Sequence, residues 1–172
     1  MQKGVLRKRN PRPLSEYGRQ LAEKQSLKGQ YNLRERQFAR YVKEALAKTG
    51  SSPELFIQSL ETRLDNAVFR MGLAQSRAQA RQLVSHGHIT LNKRPMDIPS
   101  HHVKVGDVIS VHPSSLATTY VTALKPGLKK YDAPSWLRLD KEALSSEVVS
   151  LPTLQEASPA VEISLVFEFY SR

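Results

Sequence analysis

Four arginines in the middle of the chain recur at helical spacing. Arg63 and Arg70 are seven residues apart, and Arg77 and Arg81 are four apart, so each pair falls on one face of a helix. A guanidinium can bind a phosphate through two parallel hydrogen bonds. Rows of arginine on a helix pair therefore suit contacts with folded RNA. An ordinary solvated helix face would show the same spacing, so this pattern alone leaves both interpretations open.

Further polar groups follow these arginines. His86 and His88 flank Gly87, and Lys93 and Arg94 fall on a predicted hairpin. We interpret the two histidines as RNA-facing and the hairpin cations as phosphate contacts. Metal binding by the histidines is the alternative, but their i, i+2 spacing matches no common zinc pattern and no cysteine joins them. We expect no metal site and no cofactor.

The net charge points to a polyanionic partner. The chain carries 26 Lys and Arg against 16 Asp and Glu, a formal net charge of +10. Residues 1–50 contribute +9, residues 51–111 contribute +2 and residues 112–172 contribute −1. Self-repulsion of this size favours a nucleic acid as partner, with an anionic membrane surface as the second candidate. The last third is expected to be scaffold or a protein-contact surface.

Most of the basic residues precede Gly50. Pro11 and Pro13 disfavour a helix, so residues 1–13 are predicted to form an extended basic arm. We expect the cations of this arm and of the first two helices to contact RNA. They are Arg7, Lys8, Arg9, Arg12, Arg19, Lys24, Arg34, Arg36, Arg40 and Lys43.

Composition excludes several classes of protein. The absence of cysteine rules out disulfides and thiolate zinc sites and fits a reducing compartment. No apolar run approaches the 18 residues or so that a transmembrane helix needs, so no membrane partner is expected. The first residues lack the apolar run of a secretory signal, whereas an organelle transit peptide stays possible.

The helices are predicted from caps and apolar periodicity. Ser15 begins the first, which ends near Gly29. Asn32, with Glu35 as its capping-box partner, begins the second, which ends at Gly50. A third is predicted from Ser52 to Gly72, and a fourth from Ser76 to Ser85. In the second, Phe38 and Tyr41 lie on the apolar side and are expected in the core. In the fourth, Ala80, Leu83 and Val84 are expected to face inward.

Period-two alternation then predicts strands. Residues 88–92 and 94–96 form the predicted hairpin, residues 103–107 are a strand-to-turn signal, and residues 108–111 form the next strand. The alternation of Val161, Ile163, Leu165, Phe167 and Phe169 predicts a terminal strand. Residues 113–135 are ambiguous between a broken helix and a loop.

Two segments resemble a known RNA-binding module. Residues 60–66, LETRLDN, and residues 76–89, SRAQARQLVSHGHI, are similar to the αL-type module. This module occurs in small-subunit ribosomal protein four, in pseudouridine synthases, in tyrosyl-tRNA synthetases and in a heat-shock RNA-binding protein. Further matches resemble the ribosomal protein: residues 14–18 with Leu21 and residues 23–25, the sequence ERQF at 35–38, Trp136-Leu137 with Asp140, and the ending FEFYSR. The chain is identified as a member of that family on these residues. The resemblance implies that Arg63, Arg70, Arg77 and Arg81 contact RNA, with both Arg77 and Arg81 exposed on the second helix of the module.

The resemblance implies an α+β fold. An N-terminal helical part would be followed by the αL-type module, with two helices and a small, mostly antiparallel sheet, and by a C-terminal strand. The expected division is an arm (1–13), a helical domain (14–59) on which residues 136–172 pack, the module (60–112) and a C-terminal segment (113–172).

The resemblance also implies a non-enzymatic role. The protein would be a structural constituent of the small ribosomal subunit that binds a junction in the 5′ domain of its rRNA and nucleates assembly. It would lie near the mRNA entry channel beside ribosomal proteins three and five and influence translational accuracy. The ribosome would be cytoplasmic, and an organellar one stays possible. Family members often have a longer N-terminus with a zinc site. We do not expect that site here, because the sequence contains no cysteine. Residues 112–130 and 152–160 match poorly.

Two other functions compete with this one. Arg63-Leu64-Asp65 matches the tripeptide around the catalytic aspartate of pseudouridine synthases, but the match is short and leaves no room for a catalytic domain. Asp65 is instead expected to form a local ion pair. A free-standing RNA chaperone is the second alternative, and the extra N-terminal helices count against it.

Overall fold

Two apolar clusters, one among helices and one around a sheet, organise the protein. The computed structural model describes residues 13–48, 50 and 52–172, and within these ranges it contains eight α-helices and five β-strands. The helices are α1 (Glu16–Gln30), α2 (Glu35–Ala47), α3 (Ser52–Glu61), α4 (Leu64–Arg70), α5 (Arg77–Ser85), α6 (Thr119–Lys129), α7 (Leu154–Ala157) and α8 (Ile163–Tyr170). The strands are β1 (Ile89–Leu91), β2 (Arg94–Pro95), β3 (Val108–Val111), β4 (Leu137–Asp140) and β5 (Ser145–Val148).

The helical cluster joins the first three helices to the last two. The Ser15 side chain caps α1 by accepting a hydrogen bond from the Gly18 N–H at 3.1 Å. In α2 the apolar positions repeat at helical spacing and face the cluster. We use the name helical cluster for Leu27, Tyr31, Leu33, Phe38, Tyr41, Val42, Ala45, Phe56, Ile57, Leu60, Ala157, Ile163 and Val166, all of them buried.

The sheet cluster lies between an antiparallel sheet and α4, α5 and α6. The strand order is β2-β1-β3-β5-β4, with Thr90 opposite Ser110 and Ile109 opposite Ser146. Trp136 is the largest of its buried side chains. The sheet cluster consists of Leu64, Ala67, Val68, Met71, Leu73, Ala74, Ala80, Val84, Ile89, Leu91, Val103, Ile109, Val111, Val121, Leu128, Trp136, Leu137, Leu144 and Val148.

A buried carboxylate connects the two clusters. Glu61, at the end of α3, has no exposed surface. It accepts hydrogen bonds from the Tyr31 hydroxyl at 2.6 Å and from Asn66 Nδ2 at 2.8 Å. Arg70 donates from Nε and Nη2 at 2.9 and 2.8 Å. Burial and then the Glu61 charge raise the pKa of Tyr31, so its hydroxyl stays protonated and donates. The carboxylate is thus neutralised and hydrogen-bonded from both clusters.

Most of the predicted elements are confirmed. The α+β class is confirmed. The helices α1 and α5 and the strands at 89–91, 94–95 and 108–111 fall within two residues or so of their predicted bounds, and α2 is about three residues shorter than predicted at each end. Ser76 caps α5 by accepting from the Gln79 N–H at 3.2 Å, as predicted. Phe38 and Tyr41 are buried, as are Ala80 and Val84, whereas Leu83 is only partly buried. The ambiguous segment contains a 3-10 helix, Pro113–Ser115, and α6.

The predicted C-terminal strand is wrong, because that segment forms α8. Ile163 and Val166 are buried, and Phe167 and Tyr170 pack beside them. These positions are i, i+3, i+4 and i+7, so the apolar run satisfies a helical period as well as alternation. Packing against α1 and α2 decides between the two.

The third predicted helix is interrupted. It was expected to run unbroken from Ser52 to Gly72, but α3 ends at Glu61 and α4 begins at Leu64, with Arg63 in an extended conformation between them. The first N–H groups of α4 donate to the segment just before His102: Leu64 N to His101 O at 2.7 Å and Asp65 N to Pro99 O at 3.1 Å. These long-range bonds replace those of a continuous helix.

Two smaller expectations also differ. Asn32 does not cap α2; its φ is +52° and Arg34 occupies the capping position without a side-chain bond. Of residues 136–172, the part from Leu154 to Tyr170 contacts the N-terminal helices, whereas β4 and β5 extend the sheet instead.

The C-terminal helix is tied to α1 and α2 through Glu35. The Glu35 carboxylate accepts hydrogen bonds from Lys24 Nζ and Lys28 Nζ, both at 2.9 Å, and from the Tyr170 hydroxyl at 2.6 Å. Burial raises the pKa of Glu35, but the bonds from Tyr170, Lys24 and Lys28 outweigh it and lower the pKa to about 2. Lys24 is 5 % exposed, so it serves this junction.

We expect Glu61→Gln to destabilise the protein by about 3–5 kcal/mol, as measured by urea unfolding, because it leaves the Arg70 guanidinium without a countercharge in a buried site. Glu44→Gln is the control, since Glu44 pairs with Arg40 at 3.6 Å on an exposed surface and its loss should cost less than about 1 kcal/mol. Equal effects of the two substitutions would show that Glu61 does not hold the clusters together.

We expect the stability that Glu35 provides to be lost in acid. Its folded-state pKa of about 2 lies below the ordinary 4.5, so the contribution is complete above the ordinary value and disappears as the pH falls from 4.5 towards 2. The difference in unfolding free energy between the native chain and Glu35→Gln should therefore shrink over that range. A difference that does not change with pH would contradict this assignment. Glu44→Gln controls for removing one carboxylate from α2.

Candidate nucleic-acid interface

The two arginines of α5, Arg77 and Arg81, form hydrogen bonds with buried side chains and are only partly exposed. Arg77 Nε donates to Asn66 Oδ1 at 2.7 Å, and its guanidinium carbon lies 4.5 Å from the ring centres of both Tyr31 and Phe69. The guanidinium is therefore held between two aromatic rings. Its side chain is only 11 % exposed, which leaves it little surface for a phosphate.

Arg81 lies one turn further along α5 and is partly accessible. Its Nε donates to Asp65 Oδ2 at 2.9 Å, and its Nη1 donates to the Asn32 carbonyl at 2.6 Å. The side chain is 27 % exposed. Arg81 therefore fixes α5 to the turn after α1, and an RNA contact can use only its outer edge. The expectation that both α5 arginines are freely exposed is wrong, because both neutralise the buried carboxylates.

The other arginine pair is structural. Arg63 is 2 % exposed, its Nε and Nη2 donate to both oxygens of Asp65 at 3.0 and 2.7 Å, and its Nη1 donates to the Tyr41 hydroxyl. Burial lowers the pKa of Arg63, but the bonds and charge of Asp65 outweigh it and raise the pKa overall, so the guanidinium stays charged. Arg70 binds Glu61. Burial thus removes Arg63 from the expected RNA contacts and leaves Arg70 only a minor one.

Asp65 has no opening for a substrate. Both carboxylate oxygens accept hydrogen bonds from arginines, and Oδ1 also accepts from the Asn66 N–H at 2.8 Å. The residue is 2 % exposed. A catalytic nucleophile needs access to its substrate, so this environment favours the expected ion pair over a pseudouridine-synthase role.

Exposed cations lie on the outer side of α2. Arg36, Arg40 and Lys43 are exposed and fall on one helical face, at i, i+4 and i+7. We call these three residues the cationic face of α2. Arg40 pairs with Glu44 at 3.6 Å, and within the described ranges Arg36 and Lys43 form no ion pair. The other exposed residues among the expected contacts are Arg19, Arg34, His86, Lys93 and Arg94.

The remaining expected residues differ in accessibility. His88 is partly buried, and its Nδ1 lies 2.8 Å from the Ser115 hydroxyl. Lys24 is buried beside Glu35, so it is not available to RNA. Arg7, Lys8, Arg9 and Arg12 fall outside the residues that the structure describes.

Sequence reasoning missed some of these features. Glu61 and Asn66 lie within the segment that resembles the αL-type module, but the role of Glu61 as a buried junction was missed because its Tyr31 partner is 30 positions away. Three exposed lysines at the C-terminal end of α6, Lys125 and Lys129 within the helix and Lys130 just after it, were passed over because their segment has little net charge. No group of three acidic, histidine or cysteine side chains suited to a metal occurs in the described part of the chain. No described helix is both long and apolar enough to cross a membrane.

Comparison with known proteins identifies the family. The family model described as "S4 domain" matches residues 62–109, and that of the "Ribosomal protein S4/S9 N-terminal domain" matches residues 1–61. A protein of Chloroflexus aurantiacus named small ribosomal subunit protein uS4 is 48 % identical over 94 % of this chain and 79 % of its own length. A protein of that name from Acetivibrio thermocellus is 45 % identical over 95 % of this chain and 78 % of its own. On this similarity, the chain belongs to the uS4 family of small ribosomal subunit proteins.

Proposed function

We propose that this protein is a structural, non-catalytic component of the small ribosomal subunit that binds small-subunit rRNA mainly through the cationic face of α2. The observation that carries this proposal is the set of exposed cations on one face of α2. These cations are separate from the arginines that neutralise buried carboxylates. Family membership supports the ribosomal role. The net charge of +10 gives a favourable electrostatic interaction with RNA.

The proposed contacts extend beyond α2. Lys93, in the turn between β1 and β2, and Arg94, at the start of β2, are both exposed, so both can reach a neighbouring phosphate. Arg19, Arg34, His86 and the partly exposed edge of Arg81 complete the described surface. The basic residues before Pro13 would add contacts to single-stranded RNA, including mRNA at the entry channel.

The resemblance to the family supports the more specific parts of the proposal. These are binding to a junction of the 5′ domain, nucleation of subunit assembly, a position beside ribosomal proteins three and five, and an effect on translational accuracy. We propose the cytoplasm as the location, with an organellar ribosome as the alternative. Co-sedimentation with the small subunit tests the ribosomal assignment, and recovery only in free form would contradict it.

We expect Arg36→Gln, Arg40→Gln and Lys43→Gln together to weaken binding to a small-subunit rRNA fragment by at least about a hundredfold, since each charge-assisted contact contributes roughly 1 kcal/mol or more and each 1.4 kcal/mol or so is a factor of ten in affinity. The slope of log affinity against log salt should fall by about three, one for each lost phosphate contact. Stability should change by less than about 1 kcal/mol, because the three side chains are exposed and the Arg40–Glu44 pair is a surface pair. Filter binding at several salt concentrations and urea unfolding measure the two effects.

The matched control removes the same charge elsewhere. Lys125→Gln, Lys129→Gln and Lys130→Gln change three exposed lysines at the C-terminal end of α6. They should reduce affinity by no more than about threefold, the effect of overall charge alone. If both triple variants lost affinity equally, the cationic face of α2 would not be the interface.

A further inference from the structure

A groove lies between α5 and the start of α6, and no residue of α2 lines it. Its volume is about 300 Å³, at the lower end of the range of about 300–1,000 Å³ found for small-molecule clefts. One side comes from α5 and the turn after it, and the other from Thr118, which caps α6, and the first turn of that helix. The lining residues are Gln79, Gln82, Leu83, His86, His88, Thr118, Tyr120 and Val121.

Apolar and aromatic side chains supply part of this lining. Val121 is buried in the sheet cluster, and Leu83 packs against that cluster. The Tyr120 hydroxyl donates to the Leu73 carbonyl at 2.7 Å, which fixes the position of the phenol ring. A planar aromatic ligand could therefore bury its faces against fixed apolar surface.

Polar groups with unused hydrogen-bonding capacity surround this apolar surface. Gln79 Oε1 accepts from the Gln75 N–H at 2.8 Å, which leaves the Gln79 NH₂ group available. His88 uses Nδ1 toward Ser115, which leaves Nε2. Within the described ranges, the Gln82 amide and the His86 imidazole have no hydrogen-bond partner in the protein. Together these groups can both donate to and accept from the edge of a ligand.

The lining carries no carboxylate, ammonium or guanidinium group. A phosphate would have no countercharge there. A neutral heteroaromatic ring would instead pack its faces against the apolar side chains and form hydrogen bonds at its edge with the amide and imidazole groups. Folded RNA presents such rings where bases leave the stack, and proteins recognise them by stacking and by hydrogen bonds to the base edges. We propose that this groove binds one unstacked nucleobase of RNA.

This inference rests on the proposed RNA-binding function and adds base recognition to its phosphate contacts. The test is titration of the ¹⁵N-labelled full chain with the four ribonucleosides and, separately, with ribose 5-phosphate. Nucleosides should shift the amide and imidazole signals of Gln79, Gln82, His86 and Val121, and ribose 5-phosphate should not. Gln82→Ala and His86→Ala should each weaken nucleoside binding by about three- to tenfold, as expected for one lost hydrogen bond.

A matched substitution controls for nonspecific effects. Gln25→Ala replaces an exposed glutamine of α1 and should leave nucleoside binding unchanged. Equal shifts with ribose 5-phosphate, or shifts outside the groove only, would overturn base recognition. Stronger binding of an aromatic amide such as N-acetyltyrosinamide at the same signals would also overturn it, in favour of a protein side chain as occupant.

The two proposals can fail separately. Loss of nucleoside binding with retained, salt-sensitive binding of the rRNA fragment would remove base recognition and leave the proposed function intact. If nucleosides bind the groove but the α2 triple variant keeps full rRNA affinity, the phosphate interface is the part that fails.

Discussion

Two carboxylates, those of Glu61 and Asp65, lie buried where the helical cluster meets the sheet cluster, and the positions of the surrounding elements depend on them. Each is expensive to bury alone, and each is neutralised by arginine and by additional hydrogen-bond donors. Those donors come from Tyr31 just after α1, from α4 and α5, and from the break between α3 and α4. Since an unpaired charge at this site would be costly, the arrangement that satisfies both carboxylates also fixes the orientation of α5 against the N-terminal helices.

This constraint divides the cations of the protein into two groups. Arg63, Arg70 and Arg77 are used mostly in the interior, and Arg81 is shared between the interior and the surface. The cations of α2 have no such internal partner, so their charge is available to a polyanion. The four arginines of the module therefore offer RNA less accessible charge than their number suggests, whereas the three cations of α2 are exposed.

The end of the chain completes the core of its beginning. Gln20 of α1 donates to Glu168 at 2.9 Å, and the backbone N–H of Glu162 donates to Glu23 at the same distance. Phe167 packs against Phe56, with ring centres 5.5 Å apart. The N-terminal helices therefore reach their full burial only when α8 is in place, and the sheet lies between these segments in the sequence.

Local patterns in the sequence were sufficient for the elements whose signals are themselves local. The caps at Ser15 and Ser76, the apolar stripe of α2 and the hairpin at Asn92 depend on residues a few positions apart, so they could be predicted. The family could be identified for a similar reason, since its motifs are short and contiguous. The same holds for the exposed positions of Arg36 and Lys43, which lie opposite the apolar stripe.

Only the tertiary structure decided the features that depend on distant partners. The helix of residues 163–170 has an apolar run compatible with either period, and its packing on α1 selected the helix. The break at Arg63 arises from backbone bonds to His101 and Pro99. The same spacing that places Arg77 on an outward face cannot show that Tyr31, far away in the chain, will cover it. Helical periodicity specifies the face of a side chain, but its accessibility depends on which other element packs there.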